Sequence, residues 1–348
     1  MSSISEIWND PRAHRAGNIR HMKKKKVFLL IIEELLLTGL FLCIFALFHH
    51  VLPRMGLFTE KSEPVVVEPV SSPAPSEEPD ERTPWQIKFS EHFSDEPVWT
   101  ENSYTSPQVS ITISTNSQEL NGYQQTWYVA DIYVADVNNF QTYVENESYS
   151  RYISTPAEEL AEMAGALISI NGDYCNSQGA YGFYVRNGVM YQDKQTVCDI
   201  CVLYYDGTIE TFGPDEYKVE DILAKKPYQV WKFGPELLDD EGRPKTDFNT
   251  SGAIAHGNPR SAIGYYEPGH YCFVVCDGRQ EGWSRGMTVE ELAQLFADLG
   301  CTAAYNLDGG ASATMTFNGA LYNRQSSPRE LGDILLIKET DLGREGEA

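Results

Sequence analysis

Short apolar runs joined by two-residue turn pairs recur along the chain, and this spacing constrains its fold more than any other feature. Asn187-Gly188 separates the runs 183–186 and 189–191, and Asp206-Gly207 separates 201–205 from 208–212. Asn318-Gly319 separates 313–317 from 320–322, and Pro268-Gly269 joins 261–266 to 271–276. Asn-Gly and Asp-Gly accept the positive φ of tight turns, so each unit predicts two adjacent antiparallel strands. Residues 109–113 and 126–135 alternate with period two, and 167–170, 301–305 and 334–337 are further strand-like apolar runs. Helical patterns are fewer. One spans 156–166, with Ser154 or Thr155 as its cap and Pro156 in its first turn. A second, amphipathic, covers 215–225. A third starts at Thr288, has Glu291 at the capping-box position, and stops at Gly300. The predicted class is α+β: a mixed, largely antiparallel β-sheet core with a few flanking helices, preceded by one N-terminal transmembrane helix.

That last element rests on residues 27–52, which are apolar except for Glu33, Glu34, His49 and His50, behind four lysines at 23–26. The length matches the roughly 20 residues that span a bilayer. The glutamates cost about 2–3 kcal/mol each at a helix centre, but here they lie in the N-terminal half, within reach of the interface. No small-x-small cleavage site follows, so an uncleaved anchor is expected rather than a signal peptide. The tail, 1–26, carries +5, placing the N-terminus on the cytoplasmic side. The whole chain carries −23, so the remainder carries −28. Such an acidic body repels nucleic-acid phosphates, and nucleic acid is excluded as a partner. Residues 53–84, rich in Pro, Glu and Ser, cannot bury a core and read as a stalk. A β-rich part of the ectodomain is then expected over 85–150 and a second region over 151–340.

Cys43 falls in the apolar span, and six cysteines lie beyond it: Cys175, Cys198, Cys201, Cys272, Cys276 and Cys301. The even number permits three disulfides. Cys198-Asp-Ile-Cys201 lacks a second matching pair and nearby histidines, so a structural disulfide or buried thiols are expected there rather than a metal or redox site.

Polar clusters stand at the ends of predicted strands. They are Asn171-Gly172-Asp173, 256–262 with Arg260, Asp277-Gly278-Arg279, Asn306-Leu307-Asp308-Gly309-Gly310-Ala311-Ser312, and a weaker one containing Asn323, Arg324, Arg329 and Glu330. Each alone is an ordinary turn. Several on one scaffold point to a binding site, because ligand-binding residues concentrate on loops held by rigid elements.

In this order, together with Gly286-Met287-Thr288 and Arg329-Glu330-Leu331-Gly332-Asp333, the motifs of about 160–338 resemble the phosphodiester glycosidase domain family. Asp173 stands where animal members have a second glycine, Ala311 replaces a usual glycine, and Arg329-Glu330 inverts the usual order. The region before about 150 has no counterpart. The resemblance implies hydrolysis of the sugar C1–O bond of a sugar-1-phosphodiester. A phosphomonoester leaving group is weakly basic, so the demands are a carboxylate near C1 and cations on the phosphate. Asp308 and Asp277 are the expected carboxylates, with Asp173 a third acid, a metal ligand or a capping turn residue. Arg260 and Arg279 suit bidentate phosphate binding, with Arg329 beside them. Asn171, Gly172, Asn306, Ser312 and Asn323 are expected to contact sugar hydroxyls or phosphate oxygens, and Gly309-Gly310 to offer backbone N–H donors. No cofactor and no metal are expected. The expectation is a single-pass, outward-facing membrane enzyme acting on a sugar phosphate or surface glycan. The alternatives are a non-catalytic glycan- or phosphate-binding protein of exopolysaccharide assembly, and a metal-dependent phosphodiesterase using Asp173, Asp277 and Asp308.

Overall fold

The computed structural model describes residues 38, 65–67, 82–120, 122–145, 154–174 and 182–340. The chain divides into two compact units, Met1–Phe58 and Thr59–Ala348, and all described residues but Thr38 belong to the second. The expected tail, the anchor over 27–52 apart from Thr38, most of the stalk, Cys43 and Cys175 lie outside the described residues. Among the described residues no helix is long and apolar enough to cross a membrane.

Three antiparallel sheets form around one core. In the first, β15 (Ala303–Asn306), β13 (Arg260–Glu267), β14 (His270–Cys276), β5 (Tyr123–Val134), β4 (Val109–Leu120), β3 (Ser103–Thr105) and β2 (Val98–Trp99) lie side by side. The second is β17 (Ala320–Leu321), β16 (Met315–Phe317), β7 (Ile168–Asn171), β18 (Asp333–Ile337) and β6 (Phe140–Val144). The third is β1 (Val65–Val66), β9 (Val189–Asp193), β8 (Phe183–Arg186), β12 (Pro227–Lys232), β10 (Ile200–Tyr204) and β11 (Ile209–Phe212). Ile111, Ile132 and Phe273 of the first sheet, Ile170, Met315 and Leu335 of the second, and Leu203 and Trp231 of the third share a single apolar cluster. The strands at 98–144 thus enter the same sheets as those of the C-terminal region, β5 pairing with β14 and β6 with β18.

All four turn pairs join neighbouring antiparallel strands. Asn187-Gly188 and Asn318-Gly319 both adopt the positive φ that their turns demand. The third predicted helix, here Val289–Asp298, carries a reciprocal capping box: Glu291 N–H donates to Thr288 Oγ1 at 3.1 Å, and Thr288 N–H to Glu291 Oε2 at 2.9 Å. Its Leu292, Ala293 and Phe296 cover the outer face of β13 and β14. The first helix is Ala157–Ala164, with Pro156 at its N-cap and no side-chain cap. Ser154 instead donates to Glu330 at 2.8 Å and Thr155 to Glu145, and Thr155 pairs through its backbone with Leu331. The helix expected over 215–225 is confined to Val219–Ala224.

The described cysteines, Cys198, Cys201, Cys272, Cys276 and Cys301, are free thiols. Cys201 is buried in β10, consistent with a packing role, and Cys272 and Cys301 place their sulfurs 3.8 Å apart in the core.

Candidate active site

Antiparallel pairing explains why polar clusters far apart in sequence meet. Asn306 at the end of β15 pairs with Ala262 near the start of β13, and Cys276 at the end of β14 pairs with Arg260. In the second sheet, Asn171 at the end of β7 pairs with Ile334 at the start of β18. Asn171 joins the two sheets. Its Oδ1 accepts from Ser261 Oγ at 2.5 Å and Thr314 N–H at 3.2 Å, while its Nδ2 donates to the Asp308 carbonyl at 2.7 Å. Asn171 therefore positions the backbone of Asp308.

The Asp308 carboxylate is braced in turn. Gly309 N–H donates to Oδ1 at 2.9 Å and Ser312 Oγ to Oδ2 at 2.6 Å. Burial raises its pKa above the usual carboxylate range, an effect opposed by Ser312 and by the charge of Arg329. Arg329 lies over the ring of Tyr174, 5.1 Å from its centroid, and lines a cavity together with Asp308, Ser312, Asn171, Glu330 and Asp333. The space inside the cavity is about 10 Å³, about the room one water molecule needs.

Behind the cavity lies a buried ionic cluster. Arg186 Nη2 donates to both oxygens of Asp173 at 2.8 Å, and Lys232 N–H donates to Asp173 Oδ2 at 2.6 Å. Asp173 N–H donates to Asp333 Oδ2 at 3.0 Å. The Asp333 carboxyl packs flat on Gly172: a Cβ there would stand 1.8 Å from Oδ2, so any side chain at 172 would displace the acid. Burial and the adjacent charge of Asp173 raise the Asp333 pKa well above normal.

Several expected ligands turn inward instead. Asp277, expected near C1, is 1% exposed and sits in a cage of four donors: Trp283 Nε1 at 2.8 Å, Asn323 Nδ2 at 2.9 Å, Tyr128 OH at 3.1 Å and Arg324 N–H at 3.3 Å. Asn323 belongs to that cage, its Oδ1 accepting from Met315 N–H. Arg260, expected on phosphate, donates to the main-chain carbonyls of Met287, Ile254 and His256, and burial lowers its pKa to about 10. Asn306 Nδ2 donates to the Gly234 carbonyl, while its buried Oδ1 has no hydrogen-bond partner among the described residues. Of the two expected backbone donors, Gly309 N–H serves Asp308 itself and Gly310 N–H serves the Pro259 carbonyl. Arg279 is exposed, bonded to Asn258 Oδ1 at 2.8 Å, and lies against Gly310. It lines a separate open groove of about 710 Å³ with Tyr123, Gln280 and Arg285. That groove is larger than the cavity; Asp308 and Asp333 line the cavity and not the groove.

The sequence motifs had given no role to Asp333 or Arg186. Asp333 opens an apolar strand, and Arg186 precedes a hairpin turn; only a charged residue inside a run expected to be buried marks either of them. The metal-dependent alternative does not assemble. Asp173 is forked by a guanidinium, Asp277 faces four donors, and among the described residues no three His, Cys, Asp or Glu side chains converge on a metal position.

Fold and cavity together define a β-rich protein whose loops gather acids and arginines at one end of two sheets. Residues 164–338 match the family model "Phosphodiester glycosidase", and the chain belongs to that family. Over 204 residues it is 30% identical to YomE, an uncharacterised SPbeta prophage-derived protein of Bacillus subtilis, a match covering 55% of this chain and 31% of that protein. Over 89 residues it is 30% identical to the mouse N-acetylglucosamine-1-phosphodiester alpha-N-acetylglucosaminidase, covering 23% of this chain and 17% of the enzyme. The matched regions thus span less than a third of these relatives. The fold is shared with the catalytic domain of the zebrafish enzyme of that name, auto-inhibited by its pro-peptide, at a TM-score of 0.58 and 20% identity over 70% of this chain and 88% of that one.

Proposed function

We propose that the protein hydrolyses the C1–O bond of a sugar-1-phosphodiester, as a membrane-anchored enzyme with its catalytic region outside the cell. The observation that carries this reading is the pairing of Asp308 and Arg329 in one cavity. A carboxylate facing C1 stabilises or traps the oxocarbenium-like centre, and a guanidinium beside it binds the departing phosphate. The family relationship supports the glycosidase chemistry, and the mouse relative's name supports an amino-sugar phosphodiester as the first substrate to try. The lysine run before the apolar segment 27–52 supports the anchor and its orientation.

The reaction is tested with UDP-N-acetylglucosamine and methyl N-acetylglucosamine-1-phosphate in isotopically labelled water. The expected result is free sugar carrying the label at C1, with at least a hundredfold loss in Asp308→Asn, on the order of a positioned acid–base group. Label in the phosphate, or no release from any sugar-1-phosphodiester, refutes the reading.

A further inference from the structure

Two carboxyl groups meet at the back of the cavity: Asp333 lines it, and Asp173 lies behind, forked by Arg186. Asp173 and Asp333 are 0% and 3% exposed, and Arg186 is 1% exposed. Both oxygens of Asp173 face Arg186, and Oδ2 also receives the Lys232 N–H. Asp333 Oδ2 receives one backbone N–H, from Asp173, while the Arg186 guanidinium is bonded to the Asp173 carboxylate. Two adjacent buried carboxyl groups with one guanidinium forked on the first do not both ionise; one keeps a proton. The oxygens of Asp173 already accept three hydrogen bonds, two from Arg186 Nη2 and one from Lys232 N–H, which leaves the proton with Asp333.

We propose that Asp333 is a neutral carboxylic acid in the working protein, and that its proton keeps this wall of the cavity uncharged where the substrate's phosphate must enter. Asp333 lines the same cavity as Asp308 and Arg329. The charged and titratable groups around it are Asp173 and Arg186 behind, Asp308 across the cavity, and Arg329, Glu330 and Tyr174 at its rim. The Lys232 ammonium lies over the Tyr184 ring, 5.2 Å from its centroid. When Asp333 loses its proton, a second negative charge joins Asp308 beside the phosphate position, and phosphate binding weakens. Asp333 is on this account a positioning residue that sets the alkaline limit of the site. The cavity's role in the inference rests on the proposed phosphodiester reading; the protonation of Asp333 does not.

The experiment therefore has two readouts on the full chain. Infrared difference spectra between wild type and Asp333→Asn at neutral pH should show a protonated-carboxyl band, shifted in heavy water, that is absent from the variant. A carboxylate band in its place overturns the proposal whether or not the protein turns over any substrate. In the second readout, KM for methyl N-acetylglucosamine-1-phosphate is followed with rising pH. Wild type should lose affinity by about tenfold per pH unit once the pair deprotonates, as for loss of a single proton. Asp333→Asn, neutral at every pH, should show a KM that does not rise across this pH range, whatever its value at neutral pH. An alkaline limb unchanged in the variant overturns the proposal. Thermal melts control for folding: the variant should match or exceed wild type at alkaline pH, where ionising Asp333 costs the native state stability. If no sugar phosphodiester is turned over at all, the functional reading fails and the infrared result still decides the proton.

Discussion

Replacing Asp277 by Asn distinguishes a carboxylate that holds the fold from one that meets substrate. Its Oδ2 accepts from Trp283 Nε1, Tyr128 OH and Arg324 N–H, and its Oδ1 accepts from Asn323 Nδ2. An amide oxygen at the Oδ2 position keeps three of these bonds and points the new NH₂ at the Asn323 NH₂. Asn323 cannot turn over, because its Oδ1 accepts from Met315 N–H at 2.7 Å and its Nδ2 also donates to the Ala313 carbonyl. The change removes one charge-assisted bond, about 1.5–3 kcal/mol, and leaves a buried donor facing a donor, about 1–3 kcal/mol. Relief from burying the charge, which raises the Asp277 pKa, offsets part of this. A net loss of about 2–4 kcal/mol follows, or roughly 5–15 °C in melting temperature for a domain of this size. Urea unfolding and calorimetry measure it, with turnover assayed on the folded fraction. A variant within about 1 kcal/mol of wild type that has lost all turnover would show that the carboxylate acts on substrate, and the cage argument would be wrong.

Three other outcomes follow from the site and the core. Ser312→Ala removes the donor that lowers the Asp308 pKa, so the acidic limb of kcat/KM should move to higher pH with KM little changed; an unmoved limb contradicts Asp308 as the ionised group. Arg329→Met should move the same limb in the same direction and also raise KM on the order of tenfold or more, as for loss of a charged hydrogen bond; an unchanged KM removes Arg329 from the phosphate. Gly264→Ala places a Cβ 2.6 Å from Cys272 Sγ, 2.7 Å from Phe296 Cε1 and 2.8 Å from Cys301 Sγ, so chemical denaturation should report a loss of about 1–3 kcal/mol.

Local signals in the chain carried the hairpins because Asn187-Gly188 and Asn318-Gly319 have few conformational alternatives. The order of strands was not legible. β14 pairs with β5, some 140 residues earlier, and period-two alternation says nothing about which distant strand lies alongside. The site divided in the same way. Loop motifs led to Asp308 and Arg329, which line the cavity. The same kind of motif led to Arg260 and Asp277, whose polar atoms face the protein. A turn-rich sequence marks where backbone ends need partners as readily as where a ligand binds, and only the direction of the side chain separates the two. Ser154 and Thr155 illustrate this just before a helix: both have cap chemistry, but the carboxylates of Glu330 and Glu145 take their hydroxyls.

The distribution of charge in the cavity predicts a preference for diesters over monoesters. Arg186 is forked on Asp173 and turned away, and Arg279 lies beyond Gly310 in the open groove, so Arg329 is the guanidinium lining the cavity among the described residues. With Asp333 neutral, the charges in the lining are Asp308, Arg329 and, at the rim, Glu330. A diester adds one negative charge that Arg329 shares with Asp308. A monoester adds a second once its later proton leaves near pH 6, and that charge meets the Asp308 carboxylate without a further cation. Sugar-1-phosphate should therefore inhibit more weakly than the methyl diester binds, by a factor that grows from pH 5 to pH 8. In Asp308→Asn the pH dependence of that factor should flatten, because the repelling carboxylate is gone. Competition measured across this range decides the point: a monoester that binds as tightly as the diester at pH 8 would mean that another cation reaches the phosphate, and the assignment of Arg329 as its main holder would fall.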